Sequence, residues 1–154
     1  MEHPIKLLKV LFVCTGNSAR SQMAEGFARH FGQGRIEAHS AGMEPSRLNP
    51  FAVAVMREKG IDISGQQSKA FDWDLARQMD IVVTVCGHAN ETCPAWLGRK
   101  AKIVHVGFDD PPKLAMDAKS EEEALVHYRR VRDEIRDFVE SLPGSLAQPA
   151  KDRT

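Results

Sequence analysis

The residues best suited to covalent chemistry stand close together near the start of the chain. In Cys14-Thr15-Gly16-Asn17-Ser18-Ala19-Arg20-Ser21, a thiol is followed six positions later by a guanidinium and seven later by a hydroxyl. A turn containing Gly and Ser that enters a helix aims several backbone N–H groups at one point, and the helix dipole adds partial positive charge there. Arg20 can offer a planar fork to two oxygens of a tetrahedral anion. The segment Thr15, Gly16, Asn17, Ser18, Ala19 and Arg20 is therefore a candidate oxyanion cradle, with Gly16 and Asn17 the residues best able to adopt left-handed backbone in so tight a loop. The same field acts on the sulfur. A free thiol titrates near about 8.5; a helix N-terminus and a guanidinium favour its thiolate, which makes Cys14 a candidate nucleophile. Ser21 can hydrogen-bond that sulfur and steady it as a leaving group. The competing reading is a small buried cysteine at a strand end and a surface arginine.

Asp110 is the candidate proton donor. In Phe108-Asp109-Asp110-Pro111 the proline holds the residue before it extended, which fixes where Asp110 points. A carboxylic acid there can protonate an oxygen leaving the tetrahedral centre; a solvated acidic turn before Pro111-Pro112 is the alternative. Two further thiols, Cys86 and Cys93, lie seven positions apart with a glycine and polar residues between them. On residue type alone they can be reactive, incidental, or, together with His88, zinc ligands, although the spacing is wide and no fourth ligand is evident.

Elements of alternating type must bring these groups together. Leu7 to Val13 is an apolar run suited to a buried parallel strand. From Ser21 to Phe31, Met23, Phe27 and Phe31 recur at helical spacing, and Gly32 stands where a C-terminal cap belongs. A strand follows over 35–40. Asn49-Pro50 reads as an N-cap with proline at the first helical position, and Gly60 ends that helix. A short helix is expected over 72–79, strands over Asp80 to Cys86 and Lys102 to Phe108, and a last helix opened by a Ser120–Glu123 capping box and stopped by Pro143-Gly144. The expected fold is α/β: residues 1–144 form a single domain, a doubly wound four-stranded parallel sheet with helices on both faces, and 145–154 a disordered tail. Such sheets bind ligands at the carboxyl ends of their strands. Cys14 follows the first strand, Cys86 ends the third, and Asp110 lies just past the fourth, so three capable groups fall at one edge.

The composition narrows the classes of function. Lys plus Arg (21) equals Asp plus Glu (21), so no overall field draws in nucleic acid or an anionic membrane, and any anion site is local. No apolar run is long enough to cross a bilayer. The first 13 residues carry Lys6 and Lys9 and lack a small-residue cleavage site, so they do not read as a signal peptide. A cytoplasmic setting is expected, where three cysteines suit reactivity, metal binding or simple burial better than structural disulfides.

The run VLFVCTGNSARSQMAEG resembles the signature of the low-molecular-weight protein tyrosine phosphatases, and more closely that of the thioredoxin-coupled arsenate reductases sharing their fold; the resemblance extends from about Val10 to the end of the last helix. It implies that Cys14 is the nucleophile, Thr15 to Arg20 the cradle, Ser21 the sulfur stabiliser and Asp110 the general acid. The Cys86/Cys93 pair matches the reductase pattern. The implied chemistry is a relay in which a Cys14–Cys86 disulfide is exchanged for a Cys86–Cys93 disulfide, which thioredoxin then reduces. Because a disulfide needs Cα atoms within about 7 Å, residues 87–98 are expected to be mobile. Phosphatases typically follow their Asp-Pro with an aromatic residue that grips a tyrosine ring; this chain has Pro112.

The resemblance implies arsenate as substrate, with phosphate or sulfate competing, and no bound cofactor, the reducing equivalents coming from thioredoxin or a similar dithiol protein. Some relatives bind potassium through a cluster that here would include Asn17, Glu25 and Ser40. Lys69 falls among the corresponding positions and is a poor neighbour for a cation, so no metal site is expected. A monomer is expected, with Trp73 and Trp96 in packing or partner contact. A phosphatase of the same fold acting through Cys14, Arg20 and Asp110 is the second reading, and a non-catalytic oxyanion or redox sensor the third.

Overall fold

The computed structural model describes residues 7–85 and 102–147. Cys86, Cys93, His88, Trp96 and the expected mobile stretch 87–98 lie outside the described residues. Four strands run parallel in the order β2-β1-β3-β4: β1 Leu8–Cys14, β2 Ile36–Gly42, β3 Ile81–Thr84 and β4 Lys102–His105. Val10 to Cys14 are buried without alternation, as a central strand covered on both faces requires. The expected doubly wound sheet is the one observed.

The helices are α1 Arg20–Phe31, α2 Pro50–Arg57, α3 Trp73–Arg77, α4 Pro111–Leu114 and α5 Glu121–Ala147, with a 3₁₀ turn over Ala115–Asp117. Met23 and Phe27 of α1, Val55 and Met56 of α2, and Tyr128, Val131, Ile135, Val139 and Leu142 of α5 are buried in one core with β1 and β3. The Asn49 side chain accepts from Phe51 N and Ala52 N, capping α2 as expected. Ser120 Oγ accepts from Glu123 N, one half of the expected capping box. Trp73 packs edge-on against Phe71, with ring centroids 4.6 Å apart. Among the described residues no helix is long and apolar enough to cross a membrane.

Gly32 caps α1 as expected, with φ −101°. It is glycine for room, because a Cβ would stand 2.6 Å from the Ala28 carbonyl oxygen and from the Ile36 Cβ. Pro143-Gly144 does not stop α5, which continues to Ala147. A proline within a helix forfeits one backbone hydrogen bond and crowds the preceding turn, and here Val139 and Leu142 anchor that turn in the core. The helix therefore takes in 145–147 of the expected tail; 148–154 lie outside the described residues. Finally, Asp109 to Pro112 is more than a turn, since Asp110 is the N-cap of the short α4.

The topology sets the location of the site. From β1 the chain steps to β2 on one side and then crosses to β3 on the other, so the switch point lies between the carboxyl ends of β1 and β3. Val13 pairs with Thr84, and Val85 donates to the Val13 carbonyl at 2.9 Å.

Candidate active site

Cys14 ends β1, and its side chain is 2% exposed at the switch point. Two donors converge on its sulfur. Asn17 N lies 3.2 Å from Sγ and Ser21 Oγ 2.8 Å from it. The network fixes the direction of the second contact. Asn17 Oδ1 accepts from Lys69 N at 2.7 Å and Gln22 Nε2 at 3.0 Å, so Nδ2 is the atom facing Ser21, to whose Oγ it donates at 2.8 Å. Ser21 Oγ, already accepting from Asn17, has its proton free for the sulfur. A hydroxyl and a backbone N–H thus both point their protons at the buried sulfur.

The loop takes its shape from the segment running beside it. Met43 N donates to the Cys14 carbonyl, Glu44 N to Thr15, Ser46 N to Gly16 and Asn49 N to Ser18. With those carbonyls engaged on one side, the loop can offer N–H groups rather than oxygens on the other, as an anion requires. The first turn of α1 carries no side-chain cap. Asn17 adopts φ +47°, the left-handed conformation expected of it. Gly16 is not among the residues of positive φ, so its expected left-handed role is not observed. The glycine that the loop does require is Gly42, paired with Cys14 in register. A Cβ there would lie 2.8 Å from both Asn17 N and the Thr15 carbonyl oxygen.

A cavity of about 300 Å³ opens over the sulfur, lined by Cys14, Thr15, Gly16, Ser18, Ala19, Arg20, Asp110 and Pro112. Of the candidate cradle, Asn17 alone is absent from this lining; it is wholly buried and supports the loop from behind. Arg20 Nη1 donates to the Phe108 carbonyl at 3.1 Å, and Nη2 lies 3.5 Å from Asp110 Oδ1, so the guanidinium and the carboxyl reach the cavity together. Asp110 has extended backbone before Pro111, as expected. Asp109 is committed elsewhere, 2.9 Å from Arg130 on α5. The structure thus brings Cys14, Ser21, Arg20 and Asp110 to one place.

A larger cavity of about 680 Å³ lies behind the loop, lined in part by Glu25, Arg29, His39 and Lys69 and by no thiol. The buried Glu25 carboxylate accepts from Ser40 Oγ at 2.5 Å and pairs with Arg29 at 2.6 Å and Lys69 at 3.6 Å. A lysine ammonium and a guanidinium thus balance that charge. Among the described residues no three His, Cys, Asp or Glu side chains gather as metal ligands.

Gly42, Ser46, Ser68, Asn49 and Tyr128 support the loop without having been legible as site residues in the sequence. Ser68 Oγ donates to the Gly16 carbonyl at 3.0 Å, and Asn49 Nδ2 donates to Tyr128 Oη at 3.0 Å. The Tyr128 phenol is held above its ordinary value, first by burial and further by the nearby Asp110 charge, against the opposing Asn49 hydrogen bond.

Comparison with known proteins places this geometry. The family model for low molecular weight phosphotyrosine protein phosphatase matches residues 9–152. An arsenate reductase of Halalkalibacterium halodurans is 48% identical over 126 residues, covering 82% of this chain and 88% of the relative. An arsenate reductase of Bacillus subtilis is 47% identical with the same coverage. A solved structure of an arsenate reductase in the phosphate binding state superposes with a TM-score of 0.73 at 38% identity, covering 88% of this chain and 96% of that one.

Proposed function

The chain belongs to the low molecular weight phosphotyrosine protein phosphatase family, and on that premise we propose that it is an arsenate reductase working through a three-cysteine relay. The observation that carries the proposal is the Cys14 sulfur, held by Asn17 N–H and the Ser21 hydroxyl beneath a cavity shared with Arg20 and Asp110. The likeness to arsenate reductases over most of the chain supports it.

The Cys14 thiolate attacks the arsenic of arsenate in the cradle Thr15 to Arg20. Asp110 gives its proton to the departing oxygen, which leaves as water. Arg20 holds the remaining oxygens. The Cys86 thiolate then attacks the Cys14 sulfur. The sulfur–arsenic bond breaks, and its electron pair stays on arsenic, which falls from the pentavalent to the trivalent state and leaves as arsenite. A Cys14–Cys86 disulfide remains. Cys93 next attacks Cys86, the Cys14 thiolate departs towards Asn17 N–H and the Ser21 hydroxyl, and the Cys86–Cys93 disulfide passes to a dithiol protein such as thioredoxin. Val85, the residue before Cys86, is bonded to Val13, the residue before Cys14, which supports the first transfer. No bound cofactor is required. The reducing cytosol is the setting that keeps these thiols competent, and a monomer contains every group the relay uses.

Arsenate and phosphate share shape and charge, so slow hydrolysis of aryl phosphates is expected from the same nucleophile, arginine and acid. Pro112 at the cavity rim offers no aromatic face to grip a phosphotyrosine ring. The test is consumption of NADPH with arsenate, thioredoxin and thioredoxin reductase present. The reductase reading expects turnover in the parent protein and none in Cys86→Ser or Cys93→Ser, while both variants still cleave an aryl phosphate. No arsenate-dependent consumption by the parent protein overturns it.

A further inference from the structure

We propose that Ser68 is a positioning residue for the nucleophile, acting on the Cys14 thiolate through the Gly16–Asn17 peptide bond. The inference rests on the reading of Cys14 as the attacking sulfur. One amide connects the Ser68 hydroxyl to the Cys14 sulfur. Its oxygen, on Gly16, accepts from Ser68 Oγ at 3.0 Å, from Ser46 N at 3.0 Å and from Ser46 Oγ at 3.4 Å. Its N–H, on Asn17, donates to Cys14 Sγ at 3.2 Å. Hydrogen bonds to an amide oxygen draw charge through the conjugated C–N bond and leave the N–H more positive, the cooperative strengthening expected along a chain of dipoles. A carboxylate or thiolate gains more from such a polarised donor than a neutral group does. The neighbouring Thr15 and Ser18 carbonyls accept from the 43–49 segment through Glu44 N and Asn49 N. At Gly16 a donor from a second, distant part of the chain is added, on the peptide that touches the sulfur.

Ser68 is held for this task from both sides. Before it, the Gln67 carbonyl accepts from Gln22 Nε2 at 2.9 Å; after it, Lys69 N donates to Asn17 Oδ1 at 2.7 Å. The clamp sets the hydroxyl of the half-buried Ser68 against Gly16.

The experiment measures alkylation of Cys14 by iodoacetamide across pH, in a Cys86→Ser, Cys93→Ser background where it is the sole thiol. Ser68→Ala is expected to move the midpoint of the rate profile up by about half a pH unit, and so to slow alkylation about threefold well below that midpoint. Ser68→Thr and Ser68→Val are near-isosteric, differ in the hydroxyl, and protect the test against a packing effect. Threonine is expected to restore the parent midpoint and valine to shift it as alanine does. Equal midpoints for threonine and valine, or an unmoved midpoint in Ser68→Ala, overturn the proposal. Because no arsenate is present, failure here leaves the reductase reading standing. Failure of the NADPH assay in turn leaves this profile readable.

Discussion

At the scale of single residues, the sulfur of Cys14 is governed by two hydrogen-bond donors, and each can be removed separately. Ser21→Ala deletes the hydroxyl 2.8 Å from Sγ while the Asn17 N–H remains. A hydrogen bond to a charged group contributes about 1.5–3 kcal/mol, so the rate of arsenate-driven oxidation of Cys14 is expected to fall about ten- to a hundredfold. Stopped-flow alkylation of the thiols remaining after one turnover measures that rate. Gly42→Ala acts by crowding. Its Cβ would come within 2.8 Å of two loop backbone atoms, and backbone cannot step aside as a flexible side chain can. We expect a loss of about 1–3 kcal/mol of stability and at least tenfold weaker phosphate binding by calorimetry; unchanged phosphate affinity would contradict the place given to Gly42. The contiguous residues of this site, Cys14 to Ser21, were legible because one stretch of sequence holds nucleophile, cradle and helix start. Gly42 and Ser68 were not, since each meets the loop across 24 or more intervening positions and neither belongs to a local pattern.

At the scale of elements, Asn49 joins three parts of the molecule. Its Oδ1 caps α2, its N–H holds the Ser18 carbonyl of the loop, and its Nδ2 reaches Tyr128 on α5. Asn49→Ala is expected to cost about 1–2 kcal/mol in urea unfolding, the usual consequence of losing an N-cap with a buried partner, whereas Asn49→Asp, which keeps the acceptor, should lose less than half of that. Equal losses would mean that the cap is not the source. The sequence made this element plain, because Asn-Pro at a helix start has a local physical cause. It misled at Pro143-Gly144, where the local preference to stop yields to the burial of Val139 and Leu142 in the preceding turn. Helix α4 was missed because four residues carry no periodicity of their own.

At the scale of the whole molecule, the end of α2 is tied to α5 by charge. Glu58 accepts from Arg129 through Nε and Nη2 and from Arg132 through Nη1 at 2.7 Å. The Arg129 hydrogen bond, with help from Arg132, holds the Glu58 carboxyl below its ordinary 4.5, outweighing the opposing effect of burial. A carboxyl lowered on folding stabilises the native state above its unfolded value, and the contribution is lost as pH falls through the folded value. Glu58→Gln should therefore lose about 1 kcal/mol near neutral pH, a modest figure because the pair is partly solvated. Its thermal midpoint should converge on that of the parent protein as pH falls through the lowered folded value. A deficit independent of pH would assign the effect to packing. The same scale carries the central proposal, that Cys86, next in the chain to the Val85 that donates to Val13, resolves the Cys14 adduct. The most direct measurement uses Cys93→Ser, which removes the thiol that resolves the first disulfide. After one equivalent of arsenate, peptide mass spectrometry should find Cys14 joined to Cys86, with arsenite released in equal amount. Arsenite released without that disulfide, or both thiols still open to alkylation, would contradict the account.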